Sequence, residues 1–445
     1  MATMAKTSGR EGPQTTRRLS TANGRRVYLG VILGYALMLP PQLNANFLGS
    51  VFPPYRILLM VMSLYILSAI FRRQLKPTWA DGAVLAATGW ICAAMFVSSD
   101  TQQAITASLA HIVDVAIAYF LSRAIFRNIG DLRAFLLLML PGLLIVGTII
   151  MVEAITHTHI IQGIFSELTG HPVQYGSSPR FGLMRAQGPF PHPILAGIFF
   201  VSFLPLYWLA GYKKIPRMSG SFAALTSFFS VSSATLLGLV ASIGLLVYSW
   251  MTKRVANITW PLFFFAASIV IFVAELGTKS GTFSLFVRFA SLNSMGAYNR
   301  ILIWDYGTEN VARNPWFGIG YADWVRPDWM SASMDNYWLL LAVRFGLPAS
   351  ILVAVAVLIG ISSLMQRSID NSVADADVLR GVAISLGVFA LGLASVSLWL
   401  AVQVWFFALL GIAVSLGQAD ARKIGRVVHP MSHDGIRKSN SGAFS

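Results

Sequence analysis

The stretch RILIWDYGTENVARNPWFGIGYADWVRPDWMSASMDN, residues 300–336, is the polar centre of a chain that is otherwise almost entirely apolar. It lies within residues 277–335, a segment too polar to lie in lipid. Its first part repeats apolar residues at helical spacing, which predicts a helix over 300–313 that ends at Asn314-Pro315. The following PWFGIG contains two glycines and predicts a turn. A membrane protein that keeps so large a polar loop on one side is expected to hold a site there.

The composition places the chain among helical membrane proteins. Of its 445 residues 56% are hydrophobic and 11% are charged, whereas soluble domains carry about 25% charged residues. The net charge of +15 could suggest nucleic acid, but the basic residues cluster in short loops between apolar runs, where they set membrane topology. Nucleic-acid binding is therefore not expected. With Cys92 as its single cysteine, the chain forms no internal disulfide.

Apolar runs divide the chain into about twelve membrane-spanning helices, so we predict an all-α polytopic membrane protein with two long extracytoplasmic loops. A disordered basic cytoplasmic tail (1–26) precedes a transmembrane domain (27–418), and a second cytoplasmic tail (419–445) follows it. The long loops are 154–193 and 277–335. Residues 219–250 are interpreted as two short helices that turn at 230–233. The predicted spans are 27–47, 54–71, 79–98, 104–126, 132–153, 194–212, two within 219–250, 259–275, 337–365, 379–398 and 402–416.

The arginines of the two long loops do not follow the topological pattern of the short loops. With both termini in the cytoplasm, nearly every other Lys/Arg cluster lies inside. The outer loops nevertheless carry arginines that are candidates for binding an anion, because a guanidinium binds phosphate in a bidentate manner. Pairing with loop acids or lipid headgroups is the alternative. These residues are Arg180, Arg185, Arg288, Arg300, Arg313 and Arg326.

Several other polar residues could serve chemistry or structure. His192, between two prolines, could donate to a phosphate, act as an acid or base, or cap the next helix. His111 and Asp114 share a helix face and could form a proton path or a buried structural pair. Arg344 shares a face with Asn336 and could reach the loop site or pair within the bundle.

Metal and nucleotide motifs receive little support. His157 and His159 form an HxH pair, but no CxxC or HExxH spacing accompanies it, so no metal site is predicted. Asp375 and Asp377 form a DxD just before a helix, where acidic residues commonly favour the helix N-terminus. No phosphate-binding glycine loop is present. We expect neither a metal nor another cofactor.

Three stretches give the chain a resemblance to a known superfamily. RAQGPFPHPILAGIFF from Arg185, NRILIWDYGTENVARNPWFGIG around Arg300, and DNYWLLLAVRFGLPAS from Asp335 resemble blocks of the O-antigen ligases and Wzy-type polysaccharide polymerases. The resemblance implies metal-independent transfer of a glycan from undecaprenyl pyrophosphate on the outer face of a bacterial inner membrane. Ligases transfer the glycan to the lipid A core, and polymerases transfer it to another lipid-linked repeat unit.

The resemblance also assigns roles to residues. It places Arg185 and Arg300 on the two pyrophosphate-binding arginines, with Arg180 and Arg288 as further candidates. Asp335 stands where the ligases have their catalytic histidine, which favours the exopolysaccharide polymerase branch. Asp335 is therefore the expected base and His192 the second candidate, with Asn336, Arg344 and Trp304 in support. The alternatives are a ligase with a lipid or protein acceptor, and a secondary transporter or flippase. The expected partners are the lipid-linked oligosaccharide and the bilayer, with a chain-length regulator or export complex as a candidate.

The distribution of Lys and Arg predicts the orientation of the chain. Reporter fusions after Gly281 or Ser331 should be active only outside the cytoplasm, and fusions after Lys214 or Arg367 only inside. The measurement is a paired alkaline phosphatase and green fluorescent protein assay. A cytoplasmic signal from loop 277–335 would contradict an outer site.

Overall fold

The structure, a computed structural model, describes residues 21–47, 50–173, 179–277, 282–283, 286–287, 294–369 and 372–418. Helices dominate these residues, and one short antiparallel hairpin, β1 (Ala45–Phe47) with β2 (Ser50–Phe52), joins the first two helices. The helices are α1 (Thr21–Ala36), α2 (Pro54–Phe71), α3 (Trp79–Ser98), α4 (Thr101–His111), α5 (Ala118–Ile125), α6 (Ile129–Thr156), α7 (Ile160–Thr169), α8 (Pro193–Val201), α9 (Phe203–Leu209), α10 (Lys214–Leu225), α11 (Ser233–Met251), α12 (Trp260–Gly277), α13 (Ser294–Arg313), α14 (Tyr337–Phe345), α15 (Leu347–Ile369), α16 (Val373–Gly392) and α17 (Leu400–Gln418).

The predicted class, an all-α polytopic membrane protein, is confirmed. Within the described residues, eight helical stretches are long and apolar enough to cross a membrane, and the shorter apolar stretch 193–209 accompanies them. Each of the predicted spans contains a helix. The buried core lies where α17 packs against α5 and α15, and α15 packs against α3 and α16.

Two predicted boundaries are wrong. Helix α1 begins at Thr21, inside the segment predicted to be a disordered tail, and Arg26 forms an ion pair of 2.7 Å with Asp131 that holds this helix end. The eleventh span was predicted to run to residue 398, but α16 ends at Gly392. The carbonyl groups of Leu393 and Val396 instead accept the backbone N–H of Tyr337, the first residue of α14. The outer parts of both tails, 1–20 and 419–445, lie outside the described residues.

Three spans contain interruptions that the sequence pattern did not predict. The sixth span is divided at Ser202 into α8 and α9. The fourth span changes to a π-helical turn over Ile112–Ile117, between α4 and α5. The tenth span is broken at Gly346 into α14 and α15. The predicted turn at 230–233, in contrast, is confirmed between a 3-10 turn at Thr226–Ser230 and α11.

The break at Gly346 is filled by the PWFGIG turn. The backbone N–H groups of Ile319 and Gly320 donate at 2.9 Å to the carbonyl oxygens of Val343 and Arg344, which have no partner within their helix. On the other side of the break, Leu347 N–H donates to Pro315 O at 2.8 Å. The loop therefore supplies the hydrogen bonds that the ends of a broken helix need.

Glycine is required where the two backbones meet. Gly346 has a φ of 85°, and a Cβ there would overlap the carbonyl oxygen of Trp316. Gly318 has a φ of 64°, and a Cβ there would overlap the backbone of Arg344. The Trp90 indole N–H closes the junction by donating to Trp316 O at 2.9 Å and to Phe345 O at 3.1 Å. The predicted helix 300–313, its end at Asn314-Pro315 and the glycine turn are all confirmed.

We expect Gly346→Ala to destabilise the protein by roughly 1–3 kcal/mol, because the new Cβ needs both an unfavourable φ and the space of a carbonyl oxygen. The measurement is thermal unfolding of the detergent-solubilised chain. Gly89→Ala in α3 is the matched control, because nothing lies within 4 Å of a Cβ there. Equal unfolding temperatures for Gly346→Ala and the wild type would contradict the docking.

Candidate active site

A cavity of about 690 Å³ lies where several helices begin or end. It adjoins the first residues of α8, α11 and α14 and the loop 393–399 between α16 and α17. The charged and titratable residues that line it come from distant parts of the chain: Arg180, Arg185, His192, Arg300, Tyr321, Asp323, Asp335 and Arg344. The candidates predicted from separate loops thus meet in one place.

The segment that carries Arg180 and Arg185 is fixed by backbone hydrogen bonds. Arg180 and Leu183 pair across a tight turn, in which Phe181 and Gly182 have φ values of 53° and 73°. Next to Arg185, Ala186 N–H donates to Phe229 O at 3.2 Å. Arg185 itself is buried, with 9% of its surface exposed. Arg185 therefore places a largely desolvated positive charge at the cavity wall.

Glu153 holds this segment in place through hydrogen bonds to its backbone. Its carboxylate is fully buried at the end of α6 and accepts Gly188 N–H at 2.8 Å and Ile160 N–H at 2.9 Å. One side chain thereby joins the start of α7 to the extended stretch behind Arg185. The sequence analysis did not single out Glu153, because its partners are backbone groups that only the tertiary structure brings to it.

His192 is the N-cap of α8. Its Nδ1 accepts Ile194 N–H at 3.2 Å, which confirms the capping alternative and leaves the proton on Nε2. Burial, together with the nearby Arg185 and Arg180, lowers the pKa of His192 to about 4. The imidazole is therefore neutral near pH 7, and it lines the cavity with an N–H that can donate.

Arg300 belongs to α13, which is packed against the loop that follows it. The side-chain amide of Asn310 accepts Val325 N–H and donates to Val325 O, each at 2.9 Å. Trp304 stacks on Phe283 with ring centres 4.2 Å apart. Trp304 is absent from the cavity lining among the described residues, so its role is to pack the helix that carries Arg300.

Asp335 and Asn336 divide two tasks between them. The Asn336 side chain caps α14 by accepting Leu339 N–H at 3.1 Å. Asp335 does not provide this cap, because the cap position is one residue later. Asp335 instead lines the cavity, half-buried. Its carboxylate is thus not required to begin the helix.

The charges of the cavity influence one another strongly. Burial raises the pKa of Asp335, and the positive charges of Arg300 and Arg185 oppose that rise. Burial and the neighbouring Arg180 lower the pKa of Arg185 to about 10, and burial also lowers the pKa of Arg300. Partly desolvated arginines crowded together gain most from an anion placed among them.

The remaining predicted arginines are Arg344 and Arg288, and aromatic residues line the cavity without having been predicted. Arg344 reaches the cavity, with its guanidinium 4.9 Å from the Tyr321 ring centre. Arg288 lies outside the described residues. The sequence analysis missed Tyr321 and Trp399, since aromatic residues of a loop carry no motif. The serines interrupting the apolar run 393–399 were the signal that this stretch is not helical.

His111 and Asp114 do not form the predicted pair. Asp114 lies in the π-helical turn and forms a bidentate ion pair with Arg56 of α2, at 2.6 Å to Nη2 and 3.0 Å to Nε. His111 Nδ1 instead lies 2.9 Å from Ala107 O. The extra residue of the π turn shifts the register of the helix, so the two side chains meet different neighbours.

The DxD acids form ion pairs with basic residues. Asp375 lies 3.3 Å from Arg133, and Asp377 lies 2.6 Å from Lys253. Over the described part of the chain, no group of three or more His, Cys, Asp or Glu could hold a metal ion. The independence from metals stays a prediction.

Fold and site together define a polytopic membrane protein whose helix ends surround a cavity lined by arginines and by the carboxylates of Asp323 and Asp335. Residues 218–354 match the family model described as O-antigen ligase, and this match supports the resemblance of the chain to the O-antigen ligase and Wzy-type superfamily. The match includes Arg300, Asp335 and Arg344, whereas Arg185 and His192 lie before it. No curated protein matches the chain.

Proposed function

We propose that the chain is a polysaccharide polymerase of the bacterial inner membrane. It transfers a glycan from undecaprenyl pyrophosphate to the acceptor sugar of another lipid-linked repeat unit, without a metal. The observation that supports this best is the position of Asp335, which lines the same cavity as Arg180, Arg185 and Arg300.

The arginines bind the pyrophosphate of the donor. A diphosphate among Arg180, Arg185 and Arg300 replaces the water that burial has removed from these side chains. The neutral His192 donates its Nε2–H to a phosphate oxygen. The polyprenyl chain remains among the apolar helices, so the cavity receives only the polar head of the lipid.

Asp335 is the general base of the transfer. It takes the proton of the acceptor hydroxyl while the oxygen bonds to the anomeric carbon of the donor. The bond from that carbon to the diphosphate breaks, and the diphosphate leaves with the electron pair, its charge stabilised by the arginines. A bound diphosphate also offsets the arginine charges that lower the pKa of Asp335, so donor binding makes the carboxylate a stronger base.

The alternative within the family is a ligase that transfers the glycan to a lipid or protein, and the description of the matching family favours it. Deletion of the gene distinguishes the two. A polymerase deletion accumulates single lipid-linked repeats, and a ligase deletion accumulates polymer on undecaprenyl pyrophosphate.

Arg185→Ala and Arg300→Ala should each reduce polymer formation at least about 100-fold at normal protein levels, because the leaving charge loses its partner. Lysine should rescue poorly, since a point charge does not replace the bidentate guanidinium. Polymer length on gels and lipid-linked intermediates are measured. Arg313→Ala is the matched control, because Arg313 ends the same helix, is exposed and pairs with Glu309. Full activity of both alanine variants would remove the pyrophosphate assignment.

Asp335→Asn should slow polymerisation by roughly 10²–10⁴ without destabilising α14, because Asn336 provides the cap. The pH–rate profile is a second readout. Protonation removes the base, so activity falls as pH decreases, and the raised pKa places this acid limb above the ordinary value of about 3.9.

The exposed Asp328, on the same loop as Asp335, provides the control Asp328→Asn, which should leave the rate unchanged. A normal rate for Asp335→Asn combined with a lost rate for His192→Ala would assign the base to His192.

A further inference from the structure

Two further cavities continue from the arginine-lined cavity toward the connection between α3 and α4. A chamber of about 170 Å³ shares Tyr321, Leu340, Arg344, Leu398 and Trp399 with the first cavity. A groove of about 620 Å³ shares Arg56, Ala110 and Tyr321 with the chamber. Tyr321 lines all three spaces, so they adjoin one another at this residue.

The groove differs from the first cavity in charge. Arg56 is the one cation among the described residues that line it, and the bidentate pair with Asp114 already neutralises that charge. The first cavity, in contrast, collects Arg180, Arg185, Arg300 and Arg344. The groove also carries the Asp100 carboxylate, which disfavours an anion there. An anion is therefore expected in the first cavity, and the groove suits a neutral, hydroxyl-bearing ligand.

The groove wall presents groups that hydrogen-bond to hydroxyls. Gln102, Gln103 and Thr106 are exposed on the first turns of α4, and Asp100 caps that helix. The Tyr321 ring, 38% exposed, forms the inner end. Amides, a hydroxyl and an aromatic ring beside an open groove are the groups that a neutral, hydroxyl-rich chain contacts by hydrogen bonds and ring faces.

We propose that the groove and chamber bind the acceptor glycan, which runs past Tyr321 so that its terminal hydroxyl reaches Asp335. This inference rests on the proposed function and assigns it a second substrate subsite. The donor diphosphate and the acceptor sugar then enter from opposite sides of the carboxylate. Their separation explains how one site holds two lipid-linked molecules at once.

The test measures the two ligands separately on the purified full-length protein in detergent. Undecaprenyl pyrophosphate is the donor probe. Lipid-free oligosaccharides, released by mild acid from the surface polysaccharide of the producing organism, are the acceptor probe. Binding is followed by calorimetry and by saturation-transfer NMR.

The double variant Gln103→Ala with Thr106→Val should weaken oligosaccharide binding about tenfold or more, the loss of two hydrogen bonds, and leave undecaprenyl pyrophosphate binding unchanged. Arg185→Ala should do the opposite. Thr156→Val is the matched control, because Thr156 is an exposed helical threonine that donates to a carbonyl four residues earlier, as Thr106 does.

The groove assignment would be overturned if the double variant bound oligosaccharide with wild-type affinity, or if Arg185→Ala lost oligosaccharide binding instead. It would also be overturned if the wild type bound undecaprenyl pyrophosphate but no oligosaccharide. Loss of the proposed function itself has a different signature. In that case the wild type does not bind undecaprenyl pyrophosphate, or binds it independently of Arg185 and Arg300.

Discussion

The structure of the site depends on one constraint, that backbone groups buried away from water must find hydrogen-bond partners within the protein. The break at Gly346 would leave the last carbonyls of α14 without partners, and the PWFGIG turn supplies them through Ile319 and Gly320. The same contacts fix the position of Arg344 at the end of α14. These hydrogen bonds thereby fix the PWFGIG turn relative to Arg344.

Electrostatics gives the cavity its chemical character. Arginines from the first long loop and from α13 approach one carboxylate, and burial works against every charge in the group. Desolvation and mutual repulsion of these arginines cost free energy without a ligand, and a bound anion offsets this cost. In the proposed mechanism, a diphosphate satisfies the arginines and leaves the Asp335 carboxylate to take a proton. In this proposal the arginines first bind the diphosphate of the donor and then stabilise the same diphosphate as it leaves.

The ends of the helices decide where this chemistry takes place. Helices α8 and α14 are capped by the side chains of His192 and Asn336, the residues that precede their first turns. Because Asn336 performs the capping, Asp335 is left to face the cavity. Beside it, the non-helical loop after Gly392 brings Trp399 to the cavity wall, where it lies near His192 with ring centres 6.0 Å apart. The polar groups therefore collect on one side of the bundle.

The sequence by itself determined the helical membrane class, the helix 300–313 and the glycine turn, because apolar periodicity and glycine conformation are local properties. It also indicated Arg185, Arg300 and Asp335 through local motifs. Only the tertiary structure decided that Asp114 pairs with Arg56, that Glu153 holds the Arg185 segment, and that Tyr321 joins three cavities. Such contacts link residues far apart in the chain, and a break such as that at Gly346 forms only when the distant loop is present to complete its hydrogen bonds.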